Sequence, residues 1–396
     1  MSSDRQLPRV VTSCSGRFHM FDQARELASL GLLHRLITDY PPTYPVRYGV
    51  PRKSVQPMWA QAYVMHGWRR VGKRMPAPLQ QRVNRLLHDY FSRTLARALP
   101  GDFDFFIGLS SFCLEALIAC KERGIACAVD HGSLHQEDDA RLILEDAKRW
   151  NIAPPKDTSP PWLIEKENRE FQTADHVFVL STVARDSLVR NGVAANRIFV
   201  NPCGVDLSAF GPRAPTDDVF RVIQIGTVSL RKGTLDLLAA FAQANIPGAE
   251  LLFVGGGRET SGLEATLEKL MVPGVYFRPP VPQVRLREYY NQASVFVLAS
   301  LADGFGMVVA QAMACGLPVI VTENVGARDL VEDGVNGFVV PASAPAQIAE
   351  KLRVLYANPE LARQMGEAAR ARVEHRFGWS EYGKRLGAFI CQLCPI

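Results

Sequence analysis

A chain of 396 residues, 47% hydrophobic and 21% charged, is long enough for two ordinary domains and too apolar for a disordered or collagen-like polymer. No apolar run reaches the length of a membrane-spanning helix, since even Met307–Val321 is broken by Gln311, Gly316 and Pro318. A formal net charge of +5 does not by itself point to nucleic acid, and eight cysteines scattered mostly among apolar residues suit reduced thiols better than a disulfide framework.

The N-terminus, MSSDRQLPRVV, lacks an apolar stretch followed by a small-residue cleavage site, so the expected residence is cytoplasmic. Apolar runs of strand length then alternate with helical segments through both halves, the pattern of parallel sheets with crossover helices. In the first half, strands are expected at Arg9–Thr12, Arg35–Thr38, Phe105–Leu109, Ala126–Val129, His176–Leu180 and Arg197–Val200. Helices are expected near Met20–Leu32, Phe112–Arg123 and Thr182–Arg190.

Ahead of Phe105 lies a basic concentration, Arg69, Arg70, Lys73, Arg74, Arg82 and Arg85, interleaved with Trp59, Tyr63, Trp68, Met75 and Leu79. Two readings stay open for 59–85: peripheral contact with the inner face of an anionic membrane, or helices that pack their tryptophans inward. No nucleic-acid motif accompanies the charges, so no nucleic-acid partner is expected. Asp102-Phe103-Asp104 has the D-x-D form of a metal-binding pair, but it directly precedes a strand and has no nearby carboxylate or histidine partner. No metal is required by the sequence.

Between Asn201 and Asp218 the chain gathers Pro, Gly, Asp and Ser, the composition of a linker. It divides an N-terminal unit, 1–204, from a C-terminal unit, 205–377. The second unit is expected to hold strands at Arg221–Ile225, Leu251–Val254, Val295–Leu298 and Pro318–Val321, and helices at Pro345–Tyr356 and Pro359–His375. A break at Phe377–Gly378 redirects a last helix, Trp379–Leu393, so that 378–396 returns to the first unit. The pair Cys391 and Cys394 lacks the second ligand pair of a zinc site and is read as helix packing.

Chemistry concentrates between Ser300 and Pro318. A buried strand runs into the turn Asp303-Gly304-Phe305-Gly306, and a helix begins near Met307, so backbone N–H groups and the positive end of a helix dipole face the space above. An anion is the natural occupant, with Gly304 and Gly306 permitting close approach and Asp303 offering a carboxylate to hydroxyl groups. A second basic turn, Gly226-Thr227-Val228-Ser229-Leu230-Arg231-Lys232-Gly233, puts two cations at a strand's C-terminal end.

The stretch from Asp303 resembles the E-x7-E region of retaining glycosyltransferases of family four, through Asp303, Gly304, Phe305, Gly306, Gln311, Ala312, Met313, Ala314, Gly316, Pro318 and Val319. Gly326, Asp329, Gly334, Asn336 and Gly337 are similar to a further pattern of that family. The resemblance implies a GT-B fold, two Rossmann-like doubly wound α/β domains facing a cleft, with the last helix crossing back to the first. It implies a nucleotide-diphosphate sugar as donor, UDP- or GDP-linked, and no added cofactor. The acceptor implied is a hydroxyl of a glycan, a lipid-linked glycan or a small molecule, in polysaccharide or glycoconjugate biosynthesis.

By the same resemblance, Asp303 contacts the donor sugar and Gln311 the ribose, both standing where relatives carry glutamate, and Thr227 stands where relatives carry arginine. Catalytic roles fall to His131, Arg231, Lys232 and Asp303, with His135 and His19 as lesser candidates. Donor contacts fall to Gly16, Gly226, Thr227, Arg231, Lys232, Gly255, Asp303, Gly304, Phe305, Gly306, Met307 and Gln311. The rival readings are a GT-B sugar-nucleotide epimerase and a non-catalytic sugar-nucleotide-binding relative.

Overall fold

The computed structural model describes residues 7–72, 75–153, 155, 159–213, 217–258 and 262–395. The first half builds a seven-stranded sheet from β1 (Val10–Cys14), β2 (Leu33–Thr38), β3 (Val55–Pro57), β4 (Phe105–Leu109), β5 (Ala126–His131), β6 (His176–Val179) and β7 (Ile198–Val200), in the order β3-β2-β1-β4-β5-β6-β7. The second half builds a six-stranded sheet from β8 (Arg221–Ile225), β9 (Glu250–Val254), β10 (Val275–Arg278), β11 (Val295–Leu298), β12 (Val319–Thr322) and β13 (Gly337–Val340), in the order β10-β9-β8-β11-β12-β13. Every pairing is parallel.

The central strands are buried end to end, and successive residues feed cores on opposite faces. In β11, Phe296 and Leu298 join one apolar cluster while Val295 and Val297 join another. A strand covered on both faces buries every side chain, so these segments are mostly hydrophobic, with Thr12, Ser13, Arg221 and Gln224 as buried polar exceptions. Strand order reverses beside β1 and beside β8, and each reversal opens a crevice at the strands' C-terminal ends. Three strands have no counterpart among the sequence expectations: β3, β10 and β13. All three are short edge strands with a single neighbour.

The chain passes between the halves twice, and the passages lie side by side. Val205 bridges Gly378 in parallel and donates its N–H to the Phe377 carbonyl at 2.8 Å. The helix Trp379–Leu393 then packs on the first half, where the Tyr382 hydroxyl accepts from Gln23 Nε2 at 2.9 Å and Phe389 stacks on Phe199 at 4.1 Å. Cys394 Sγ lies 3.6 Å from the Asp104 carbonyl but Cys391 is exposed, so only one of the two packs as the sequence reading expects.

Further contacts close one side of the cleft. The helix Gln136–Arg149 starts in the first half, yet its Ile143 and Ala147 are buried in the cluster that contains Leu235, Leu238 and Ala240 of the second. Its Arg149 pairs with Asp146 and, across the boundary, with Asp236. Ser181 Oγ donates to the Gly304 carbonyl at 2.7 Å, and Asp329 accepts from Thr182 N at 2.7 Å and Thr182 Oγ1 at 2.5 Å.

The basic segment forms the helices Trp59–Val71 and Ala77–Ala98. Inward packing holds for Trp68, whose Nε1 donates to Asn84 Oδ1 at 2.7 Å. It fails for Trp59 and Tyr63, which are 52% and 77% exposed. Lys73 and Arg74 lie outside the described residues. No helix among the described residues is long and apolar enough to cross a membrane.

The paired passages depend on Gly204, where an added Cβ would lie 2.5 Å from the Trp379 backbone. Gly204→Ala therefore forces two chain segments apart, at a cost of about 3 kcal/mol or more. Gly248→Ala meets no atom within 4 Å and bears only the left-handed strain of its φ of +68°, about 1–2 kcal/mol. Thermal unfolding should show a clearly larger loss of Tm for the first variant; equal losses would refute the role given to Gly204.

Candidate active site

Two adjoining cavities occupy the crevice, of about 590 and 900 Å³, and Met307 borders both. The first is walled by the loops that follow β1, β4 and β5 on one side and those that follow β8 and β11 on the other. Gly226, Thr227, Arg231, Lys232, Asp303, Gly304, Phe305, Gly306, Met307 and His131 all line it. Gln311 lines the second cavity, with Met307.

The second-half wall is internally braced. Leu301 N donates to the Arg231 carbonyl at 2.8 Å, and Arg231 Nη1 donates to the Ala302 carbonyl at 3.0 Å, so the basic turn is docked on the strand end. Lys232 Nζ meets Asp303 Oδ2 at 2.5 Å. Burial works to raise the Asp303 pKa, but the charges of Lys232 and Arg231 outweigh it and hold the carboxyl below its ordinary value. Gly306 caps the helix Met307–Ala314 in a left-handed conformation. Deeper along that helix, Gln311 Oε1 accepts from the buried Tyr290 hydroxyl at 3.1 Å, which turns the amide nitrogen away from Tyr290.

Several expectations need correction. Gly304 gives close approach to the other half of the protein, since a Cβ there would lie 2.2 Å from the Gly132 carbonyl. Gly255 is absent from the cavity wall and is pressed on Gly226, whose carbonyl oxygen would be 1.8 Å from an added Cβ. Gly16 likewise stands behind the wall, its N–H donated to Asp39 Oδ1 at 3.3 Å. Asp102 and Asp104 are taken up by Arg9, the second accepting the Arg9 backbone N–H at 2.7 Å. Among the described residues, no cluster of three His, Cys, Asp or Glu is built to hold a metal.

His131 is 1% exposed, its Nε2 3.0 Å from the Leu134 carbonyl and its Nδ1 3.0 Å from Ser110 Oγ. A carbonyl only accepts, so Nε2 donates to it, and with Ser110 at Nδ1 both ring nitrogens are engaged within the protein. His135 caps the helix Gln136–Arg149 and bonds Asn168, outside the cavity wall. His19 lines the cavity with Nε2 2.9 Å from Asp130 Oδ1, and among the described residues its Nδ1 has no hydrogen-bond partner. Burial pushes the His19 pKa down, but the Asp130 carboxylate pushes it up further, and the net shift is upward.

Sequence reasoning missed the rest of the first-half wall, Phe18, Ser111, Phe112, Gln136 and Glu167. Phe18 and Ser111 adopt positive φ, 37° and 74°, without being glycine, a conformation with no sequence signal here. The Ser111 turn rests on Glu170, which accepts the N–H groups of Ser111, Cys113 and Leu114 at 2.6, 2.9 and 3.1 Å. Burial pushes the Glu170 pKa up to about 8 from 4.5. The unfolded chain thus releases this proton at lower pH than the folded one, so the stability from this group is full below about pH 4.5 and is lost as pH rises through about 8. Glu170→Gln should flatten the fall in Tm between those values; an unchanged slope would refute the assignment.

The chain matches a family model described as "Glycosyltransferase Family 4" over residues 17–209 and one described as "Glycosyl transferases group 1" over residues 210–372. It is 32% identical to D-inositol 3-phosphate glycosyltransferase 1 of Catenulispora acidiphila over 75% of this chain and 73% of that protein. It is 32% identical to the D-inositol 3-phosphate glycosyltransferase of Xylanimonas cellulosilytica over 58% of this chain and 60% of that one. The chain thus spans between 60 and 73% of the length of these relatives. Among solved structures, it superposes on sucrose-phosphate synthase from Thermosynechococcus elongatus with a TM-score of 0.68 at 19% identity, covering 98% of this chain and 99% of that one. The Anabaena protein HepE, in complex with UDP-glucose, gives 0.66 at 17% identity, covering 97% and 100%. Two parallel sheets facing a crevice, and matches that cover both, make this chain a GT-B protein of glycosyltransferase family 4.

Proposed function

We propose that the chain transfers a glycosyl group, with retention, from a nucleotide-diphosphate sugar to an acceptor hydroxyl of a glycan, glycolipid or small molecule. The observation that carries this reading is the arrangement of Arg231, Lys232 and Asp303 around the start of the helix Met307–Ala314. The donor's sugar and diphosphate fit the first cavity, where two cations and a helix N-terminus favour negative charge. Its nucleoside fits the second, where the Gln311 amide is free to bond a ribose hydroxyl. A UDP-linked donor is favoured by the likeness to a protein that binds UDP-glucose.

In the reaction, the bond from the sugar's anomeric carbon to the diphosphate breaks and its electron pair leaves with the diphosphate. Lys232, Arg231 and the N–H groups at Gly306 balance that charge as it develops, worth roughly 3 kcal/mol per well-placed donor. The acceptor oxygen bonds to the same face of the carbon, and its proton passes to a leaving phosphate oxygen. Asp303, kept ionised by Lys232, accepts from the sugar's hydroxyls. Two protein cations at the diphosphate are the reason to expect turnover without a metal. The acceptor side is formed by 1–204 with 378–396 and the donor side by 205–377, a division supported by the paired passages at Gly204 and Gly378.

The exposed face of Trp59, Tyr63, Val64, Val71, Leu79 and Leu86, with exposed Arg70, Arg82 and Arg85 beside it, supports peripheral contact with an anionic membrane surface.

Lys232→Ala should reduce kcat about 100- to 1,000-fold in an assay containing EDTA, with an unchanged circular dichroism spectrum; near-normal turnover of the variant, or none in the parent with EDTA, would count against this reading. For the membrane contact, co-sedimentation with phosphatidylserine-containing vesicles should weaken on Trp59→Ala with Tyr63→Ala and at high salt. Equal binding by the double variant would remove that face from consideration.

A further inference from the structure

The first-half wall of the first cavity carries a set of groups that the transfer chemistry above does not use. Glu167 borders the cavity at 3% exposure, with Oε1 accepting from Ser111 Oγ at 2.5 Å and the buried Oε2 without a hydrogen-bond partner among the described residues. A buried carboxylate oxygen is costly to leave unpaired. Its neighbours are committed elsewhere, since Lys166 pairs with Asp89 at 2.9 Å and Glu170 is filled by three backbone N–H groups.

Two aromatic rings border the same space. Phe112 has one face covered by His88 at 4.1 Å between centroids and an edge contact with Phe91 at 5.5 Å, which fixes its ring on the cavity wall. Phe18 is 67% exposed at the mouth. Five described non-glycine residues have positive φ, and two of them, Phe18 and Ser111, lie on the wall of this one cavity. Backbone strain of that kind persists where the surroundings enforce it and concentrates at binding sites. Gln136 adds an amide whose Oε1 accepts from Ser159 Oγ at 2.5 Å, leaving its nitrogen as a donor.

The charges divide sharply across the cavity. Arg231 and Lys232 both stand on the second-half wall, one on the Ala302 carbonyl and the other on Asp303. On the first-half wall the carboxyl group is Glu167, and His19 is paired with Asp130. A hydroxyl offers Glu167 a donor, whereas a phosphate offers mainly acceptor oxygens. The electropositive C–H face of a sugar ring suits the electron-rich face of a phenyl ring.

Resting on the glycosyl-transfer reading, we propose that the acceptor is an uncharged sugar ring, seated against Phe18 and Phe112 with a hydroxyl bonded to Glu167, and that a phosphorylated sugar is rejected at this end. Glu167 and the two rings are binding and specificity residues; the reacting atoms lie closer to Asp303.

The test uses the full chain with a donor first identified by calorimetric titration of UDP- and GDP-sugars. Initial rates are then measured with methyl and octyl glycosides of glucose, galactose, mannose and N-acetylglucosamine, and with the matching sugar 6-phosphates. At least one neutral glycoside should be preferred over its phosphate by about ten-fold or more in kcat/KM. Phe18→Ala and Glu167→Gln should each raise the neutral acceptor's KM by about ten-fold, with donor Kd held within about two-fold. Phe18 is exposed, so its variant stays informative even if Glu167→Gln fails to fold. Equal or better use of a phosphorylated sugar, an unchanged acceptor KM in Phe18→Ala, or donor binding without transfer to any sugar on the panel would overturn the proposal. Failure of every nucleotide sugar to bind would instead overturn the glycosyl-transfer reading beneath it.

Discussion

The site depends on a contact made by backbone alone. Gly304, at the tip of the turn after β11, lies against Gly132 and Ser133 of the first half, and its carbonyl receives the Ser181 hydroxyl. A single methyl group at that position would sit inside the opposing carbonyl. Because the halves touch there, loops that are distant in sequence share one cavity, and Asp303 and His131 come to border the same space. Asp329, accepting from both Thr182 N and Oγ1, holds the seam shut a short way along.

Around that seam the two walls are built on different electrostatic plans. The second-half wall gathers fixed positive charge and a helix N-terminus, then places one carboxylate, Asp303, where Lys232 keeps it ionised despite burial. Beneath the first-half wall, burial works against ionisation of Glu170, which lies under the Ser111 turn. The asymmetry follows from which loops lie at the strand ends: the turn after β8 is basic, while the turn after β4 is serine- and phenylalanine-bearing and is propped from beneath by acids.

What could be read in the sequence follows the same physics. Central strands were legible because burial on both faces favours apolar residues, and Phe105–Leu109, Arg221–Ile225 and Val295–Leu298 match to the residue. The short edge strands Val55–Pro57, Val275–Arg278 and Gly337–Val340 are not among the expected elements. The second-half wall was legible because it is nearly continuous in sequence, two short turns carrying Arg231, Lys232 and Asp303. The first-half wall is assembled from five separate segments, and no local pattern announces that Phe18, Ser111 and Glu167 will meet. The surroundings of the histidines were hidden for a related reason. A ring nitrogen's availability depends on its second partner, and Ser110 and the Leu134 carbonyl are invisible until the loop is folded.

The helix Gln136–Arg149 has a mechanical consequence. By chain order it belongs to the first half, between β5 and β6, but by its apolar contacts it is rooted in the second. Besides the seam at Gly304 and Asp329, the halves are therefore joined by two covalent passages near Gly204 and Gly378 and by a graft held by Ile143, Ala147 and the Arg149–Asp236 pair. Two adjacent passages alone would define a hinge about which the cleft could swing freely. The graft takes that freedom away, because any swing must either extract two side chains from an apolar core or bend the short stretch Ser133–His135 that leads into the helix. Opening is thereby directed through the segment that also carries the cavity wall, so admitting a substrate and reshaping its site become one movement.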